Sequence, residues 1–200
     1  MKRAQRSFDF RKRTRAGKLA KKAGRKVTGK RRDPRHRTRP EHDPRHGVHL
    51  VLRVTREVGN LRTRHAYRAL RGALARCAGK SDYRIVHVSM QSNHVHLLVE
   101  ADSKLALARG TQGFAISAAK RLNKELRRKK GEVFPFRYHA TYVKNPTQAR
   151  NALSYILNNW RHHRADAHAP WRIDPWSSAW QFAGWATPHG HAAPKQPLKR

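Results

Sequence analysis

Residues 90–100 read Met-Gln-Ser-Asn-His-Val-His-Leu-Leu-Val-Glu, and the two imidazoles one residue apart are the first feature able to do chemistry. Side chains alternate faces along a strand, so His94 and His96 project together while Val95, Leu97 and Val99 project to the other side. Two nitrogen donors aimed at one small object suit a metal ion. The plainer account is a pair of half-buried strand histidines bonded to backbone or water. A second pair lies on a helical stretch. Stepping about 100° per residue from Leu153, the residues Ala149, Ile156, Leu157 and Trp160 gather on one side, and Tyr155, Asn159, Gln148 and His162 gather opposite. Tyr155 thus falls outside the apolar stripe of its own helix, and Asn159, four residues on, stacks beside it.

These residues need a frame to bring them together. Val48, Leu50, Leu52 and Val54 alternate with His49, Val51, Arg53 and Thr55, which predicts a first strand. Ala66, Tyr67, Leu70, Leu74 and Cys77 recur at helical spacing from Thr63 until Gly79. Strands follow at 83–90 and 94–100, joined tightly at Gln91-Ser92-Asn93. Ser103 caps a long helix with a predicted stripe of Leu105, Ala108, Phe114, Ala118, Leu122 and Leu126, closing on the cluster Arg127-Arg128-Lys129-Lys130. A fourth strand is expected at 138–144. Asn145-Pro146 then supplies a cap and a first-turn proline for a last helix running to about His163.

The order is β-α-β-β-α-β plus a final helix. It predicts an α+β class and a ferredoxin-like split βαβ fold: an antiparallel four-stranded sheet with helices on one face, and an additional C-terminal helix carrying Tyr155. The first and third strands are then central, which seats the two histidines on a rigid element. Residues 1–46 are expected to form a disordered basic arm, 47–165 the folded domain, and 166–200 a Trp/Pro-rich tail that packs back on it.

Charge limits the partners. The formal net charge is +34 with a pI near 11.8. Residues 1–46 hold 19 lysines and arginines against 4 acids, and residues 47–165 hold 23 against 6, so the domain is cationic without its arm. Self-repulsion of that size calls for a polyanion, with nucleic acid the leading candidate. No apolar span or lipidation signal points to a membrane. Cys77 is the only cysteine, which excludes an internal disulfide and fits a reducing cytoplasm. No cysteine pair and no His-Glu-x-x-His spacing supports zinc.

Four segments, in order, resemble one family. Asn93-His94-Val95-His96-Leu97-Leu98-Val99 is similar to the His-hydrophobic-His (HUH) motif of single-tyrosine transposases, the small enzymes of compact bacterial insertion sequences and their REP-associated relatives. Phe134-Pro-Phe-Arg137-Tyr138-His139 is similar to that family's Phe-x-x-Arg-Tyr-His segment, and Tyr155-Ile156-Leu157-Asn158-Asn159 to its Tyr-Ile-x-x-Asn helix. Asp174-Pro-Trp-Ser177-Ser178 resembles the Trp/Ser-Ser element of the REP-associated branch. The likeness spans roughly residues 47–182. It departs at Gln91-Ser92, where many relatives carry Met-Pro, and at Trp160, where proline is common.

The resemblance implies a mechanism. His94, His96 and Asn159 would hold a divalent ion, Mg²⁺ or Mn²⁺, and Tyr155 would attack a phosphodiester of hairpin-forming single-stranded DNA. The products would be a 5′-phosphotyrosine and a free 3′-hydroxyl, the basis of DNA transposition. A phenol with pKa near 10 is a poor nucleophile without activation, and phosphoryl transfer needs charge neutralised on the non-bridging oxygens. Mn²⁺ is the better match to a neutral N/O donor set. Arg137, Arg150 and Arg161 are the expected phosphate contacts, since guanidinium pairs well with phosphate. Tyr155 could serve its own subunit or reach across a homodimer.

The rival class is a non-catalytic, basic binder of single-stranded DNA or RNA. Such a protein stacks bases on aromatic side chains, commonly on central strands. Strands 48–56 and 94–100 carry none.

Overall fold

The structure, a computed structural model, describes residues 39–128, 131–164, 166–167 and 173–185. Its elements are β1 (Gly47–Arg53), α1 (Arg64–Cys77), β2 (Tyr83–Met90), β3 (His94–Ala101), α2 (Lys104–Glu125), β4 (His139–Val143) and α3 (Pro146–His162), with short 3-10 turns at Arg56–Val58 and Ala179–Gln181. The strands form one sheet in the order β2-β3-β1-β4. Every neighbouring pair is antiparallel, so β1 and β3 are central as expected.

Local chemistry explains where the helices begin. The Thr63, Ser103 and Asn145 side chains accept from the backbone N–H of Ala66, Ala106 and Gln148, satisfying donors that the first turn leaves free. Pro146 opens α3, where its missing N–H costs nothing.

The two faces of the sheet have different tasks. Val48, Leu50 and Leu52 of β1 and Val95, Leu97 and Val99 of β3 are buried in one core with Leu70 and Ala73 of α1 and Phe114, Ala118 and Leu122 of α2. Each large apolar side chain removed from water there contributes roughly 1.5–3 kcal/mol. α3 lies against the opposite face, next to His96 and His49.

The predicted stripe on α2 is corrected at its start. Leu105 is exposed, as is Ala108, and the face toward the core is Ala106, Leu107, Gly110, Thr111, Phe114, Ala118 and Leu122. The reason is steric. The Tyr83 ring lies on Gly110 so closely that a Cβ there would stand 2.2 Å from Tyr83 Cγ, and this contact sets the helix rotation. The charged end of α2 stops at Glu125, with Arg127 in the left-handed region; Lys129 and Lys130 lie outside the described residues.

The expected arm boundary at residue 46 also moves. Residues 1–38 lie outside the described residues, whereas 39–46 pack on the domain. The Arg39 guanidinium stacks 3.4 Å above the Tyr138 ring and donates to the Tyr138 carbonyl, and the His42 ring bonds the Ala101 carbonyl. Of the 166–200 segment, residues 173–185 bind along the β2 edge. The Ser178 hydroxyl accepts from the Val88 N–H, Ser177 bridges to Ser89, and the Trp176 ring meets Tyr67 edge-on. Trp171 lies outside the described residues. No helix among the described residues is long and apolar enough to cross a membrane.

Candidate active site

β3 presents His94 and His96 toward α3, and the register with β1 sets Arg53 directly opposite His94. The turn before them is pinned: the Val54 N–H donates to the Asn93 carbonyl, and the Leu61 N–H donates to that of Ser92. With the strand start so fixed, the Asn93 Oδ1 lies 2.7 Å from His94 Nδ1 and accepts from it. On the next inward position, His96 Nδ1 lies 2.9 Å from His49 Nε2 on β1.

Those two contacts and burial bear on the protonation of the rings. Burial first, then His163 and Arg53, lowers the His94 pKa to about 4. Burial first, then its histidine neighbours, lowers His96 to about 3. Both rings are therefore neutral near pH 7, with one proton each. Asn93 Oδ1 can only accept, which draws the His94 proton to Nδ1, whereas the His49–His96 bond can run in either direction with the tautomer. The two Nε2 atoms stand 2.8 Å apart, near enough to share one small partner. Two such nitrogens could hold a cation.

The donor set fits a small divalent ion. The Asn159 side chain, fully buried on α3, reaches 2.6 Å from His96 Nε2, and its Oδ1 is a buried oxygen without a partner among the described residues. The two ends of an amide are nearly equal in shape, so turning it presents the orphaned oxygen to the histidine pair. Adjacent donors around a six-coordinate ion of Mg²⁺ size stand about 3.0 Å apart, close to the separations here. Among the described residues no three His, Cys, Asp or Glu side chains gather as a metal cage, and the Asn159 amide is the polar side chain beside the histidine pair that could serve as a third donor.

Asn159 corrects the sequence reading of α3. It is as buried as Ile156, Leu157 and Trp160, because the helix side against the sheet extends around to it. Tyr155 lies farther round and is 43 % exposed. Its ring stands edge-on to His96 at 5.5 Å and to His49 at 5.8 Å, with His162 at 5.7 Å on the outer side. A phenol open to solvent thus borders the histidine cluster. His163 closes the other flank, 5.4 Å from His94.

The predicted arginines do not join this group. Arg150 and Arg161 share a face of α3 that lies about 130° around the helix from Tyr155. Arg161 lies near the Trp160 ring at 6.0 Å, and exposed Arg137 precedes β4. The site instead holds His49, Arg53 and His163, which sequence reasoning did not select, and His162, which it had placed on the Tyr155 side of the helix. The alternation of β1 did put His49 and Arg53 on one face. Only the β1–β3 register says that this face is shared with His94 and His96.

Comparison with known proteins follows the same lines. The family model "Transposase IS200 like" matches residues 44–159. The solved structure of a REP-associated tyrosine transposase bound to a REP hairpin is similar in fold, with a TM-score of 0.55 and 14 % identity, covering 71 % of this chain and 81 % of that one. A candidate transposase from Deinococcus radiodurans R1 aligns with a TM-score of 0.42 and 15 % identity, over 70 % of this chain and 99 % of that one. No curated protein sequence matches the chain.

Proposed function

The chain belongs to the IS200-like transposase family, and from that premise we propose that it is a metal-dependent strand transferase that cleaves and rejoins single-stranded DNA through Tyr155. The observation that carries this reading is the approach of His94 Nε2 and His96 Nε2 to 2.8 Å, beside the Asn159 amide and bordered by an exposed tyrosine.

His94 and His96 through Nε2, and Asn159 through its amide oxygen, would hold Mg²⁺ or Mn²⁺. Such an ion, when bound, neutralises charge on the non-bridging oxygens of the scissile phosphate. The protein's own groups do the rest. Tyr155 Oη attacks phosphorus, the Tyr–O–P bond forms and the P–O3′ bond breaks, with the phenol proton lost and one gained by the departing 3′-oxygen. The 5′-phosphotyrosine keeps the energy of the broken bond, so a 3′-hydroxyl can later reverse the step and free the tyrosine without ATP. The Arg53 guanidinium, opposite His94 on the sheet, is placed to hold a phosphate near the reacting one. The REP hairpin carried by the similar structure supports a hairpin-forming substrate here.

The test is incubation of the full chain with labelled single-stranded DNA and Mn²⁺, followed by denaturing electrophoresis. A protein–DNA adduct is expected. It disappears in Tyr155→Phe and falls at least a hundredfold in His94→Ala, while DNA binding by Tyr155→Phe persists. Tight binding with no adduct from any strand of the host locus would leave the non-catalytic binder as the better account.

A further inference from the structure

We propose that His49 is the positioning residue of the candidate metal centre: it fixes the tautomer of His96 and thereby turns the Nε2 lone pair of that ligand toward the ion. The inference rests on the metal reading above and goes beyond it, since His49 belongs to none of the four motif segments.

The geometry is specific. His49 pairs across the sheet with Leu98, and Val51 pairs with His96, so His49 is the diagonal neighbour of His96 on one face of two central strands. Its Nε2 stands 2.9 Å from His96 Nδ1, with the ring planes 28° apart. A ligating imidazole must keep its proton on the nitrogen that does not bind the ion, and that N–H needs an acceptor. A carboxylate or a backbone carbonyl commonly serves. Here the acceptor is a neutral imidazole, so His49 orients His96 without adding negative charge beside the site. A donor set of two imidazoles and an amide then leaves the full charge of the ion for the phosphate.

The same ring has a second contact. His49 meets Tyr155 edge-on at 5.8 Å, while Tyr155 meets His96 at 5.5 Å. One side chain of β1 therefore touches both the ligand and the proposed nucleophile, which ties the orientation of His96 to the space the phenol occupies.

The experiment uses the full chain without DNA. Free Mn²⁺ is followed by its electron paramagnetic resonance signal during titration into the parent, His49→Phe, His49→Gln and His94→Ala. Phenylalanine keeps the ring and removes the acceptor; glutamine restores an acceptor oxygen. We expect His49→Phe to bind Mn²⁺ about 10–100-fold more weakly, as loss of an orienting partner does elsewhere, and His49→Gln to recover most of the loss. Long-range ¹H–¹⁵N spectra should show His96 as the Nδ1-protonated tautomer in the parent and as a mixture in His49→Phe, a change that a merely structural ring would not produce. Parent-like Mn²⁺ affinity in a folded His49→Phe overturns the role of His49 and leaves the metal reading intact. So does a folded His49→Gln as deficient as His94→Ala. A parent that binds no more Mn²⁺ than His94→Ala overturns both.

Discussion

Asn93, His49 and Asn159 each make one contact that matters more than their burial. Asn93 Oδ1 and His49 Nε2 bond the outer nitrogens of His94 and His96, and Asn159 brings an amide to His96 Nε2. Metal-free protein should reveal this arrangement through pH. His49, His94 and His96 have pKa values lowered to about 4, 4 and 3, chiefly by burial. Unfolded imidazoles take up protons near 6.5, so below that pH the unfolded state binds more protons than the folded one, and stability falls on acidification. The urea midpoint of metal-free protein should be level above pH 7 and drop progressively from about 6.5 toward 4. In His94→Ala/His96→Ala that drop should shrink; an identical pH profile would mean that these rings are not held neutral. Arg53 belongs to the same scale. Arg53→Gln should lower the slope of log affinity for a short single strand against log salt by about 0.7, the effect of one lost phosphate contact, whereas Arg150→Gln should leave it less changed.

At the scale of elements, the helix starts and strand alternations were legible because each depends on neighbours within a few residues. Thr63, Ser103 and Asn145 bond donors three positions away, and the histidine strand sends Val95, Leu97, Val99 and Ala101 into the core at alternate positions. The rotation of α2 was not legible. Leu105 is the more apolar choice for the core, yet Gly110 faces inward because an aromatic ring 27 positions earlier needs the space of a missing Cβ. Gly110→Ala therefore drives a methyl into the Tyr83 ring and should cost about 1–3 kcal/mol by overpacking. Urea denaturation measures it. Tyr83→Leu in the same chain should relieve part of the loss, and a neutral Gly110→Ala would refute this explanation of the helix rotation.

Across the whole molecule, a buried ion pair links the C-terminal segment to the site. Arg62 donates to both Asp174 carboxylate oxygens, at 3.0 and 2.9 Å, and to the Met90 carbonyl at the end of β2. Asp174 is fully buried, which raises its pKa against the opposing pull of Arg62. Removing one partner strands the other charge away from water, so Asp174→Ala should destabilise the fold by about 3–5 kcal/mol. Because Leu61 and Arg62 together hold the β2–β3 turn, the same variant should also weaken Mn²⁺ binding, although Asp174 is no ligand. Calorimetry and the manganese titration read the two effects separately; unchanged Mn²⁺ affinity would mean that the turn is held without this pair.

The amino-acid sequence by itself determined the α+β order, the central place of the histidine strand and the chemistry on offer, since alternation, caps and turn residues act locally. It determined that His94 and His96 share a face, and that Tyr155 stands apart from the stripe of its helix. Tertiary structure alone decided what those residues meet. Strand register made His49 and Arg53 neighbours of the histidine pair, and the seating of α3 buried Asn159 beside them while leaving Arg150 and Arg161 elsewhere. Register and helix seating depend on packing between segments far apart in the chain, where a shift of one residue turns every side chain to the other face.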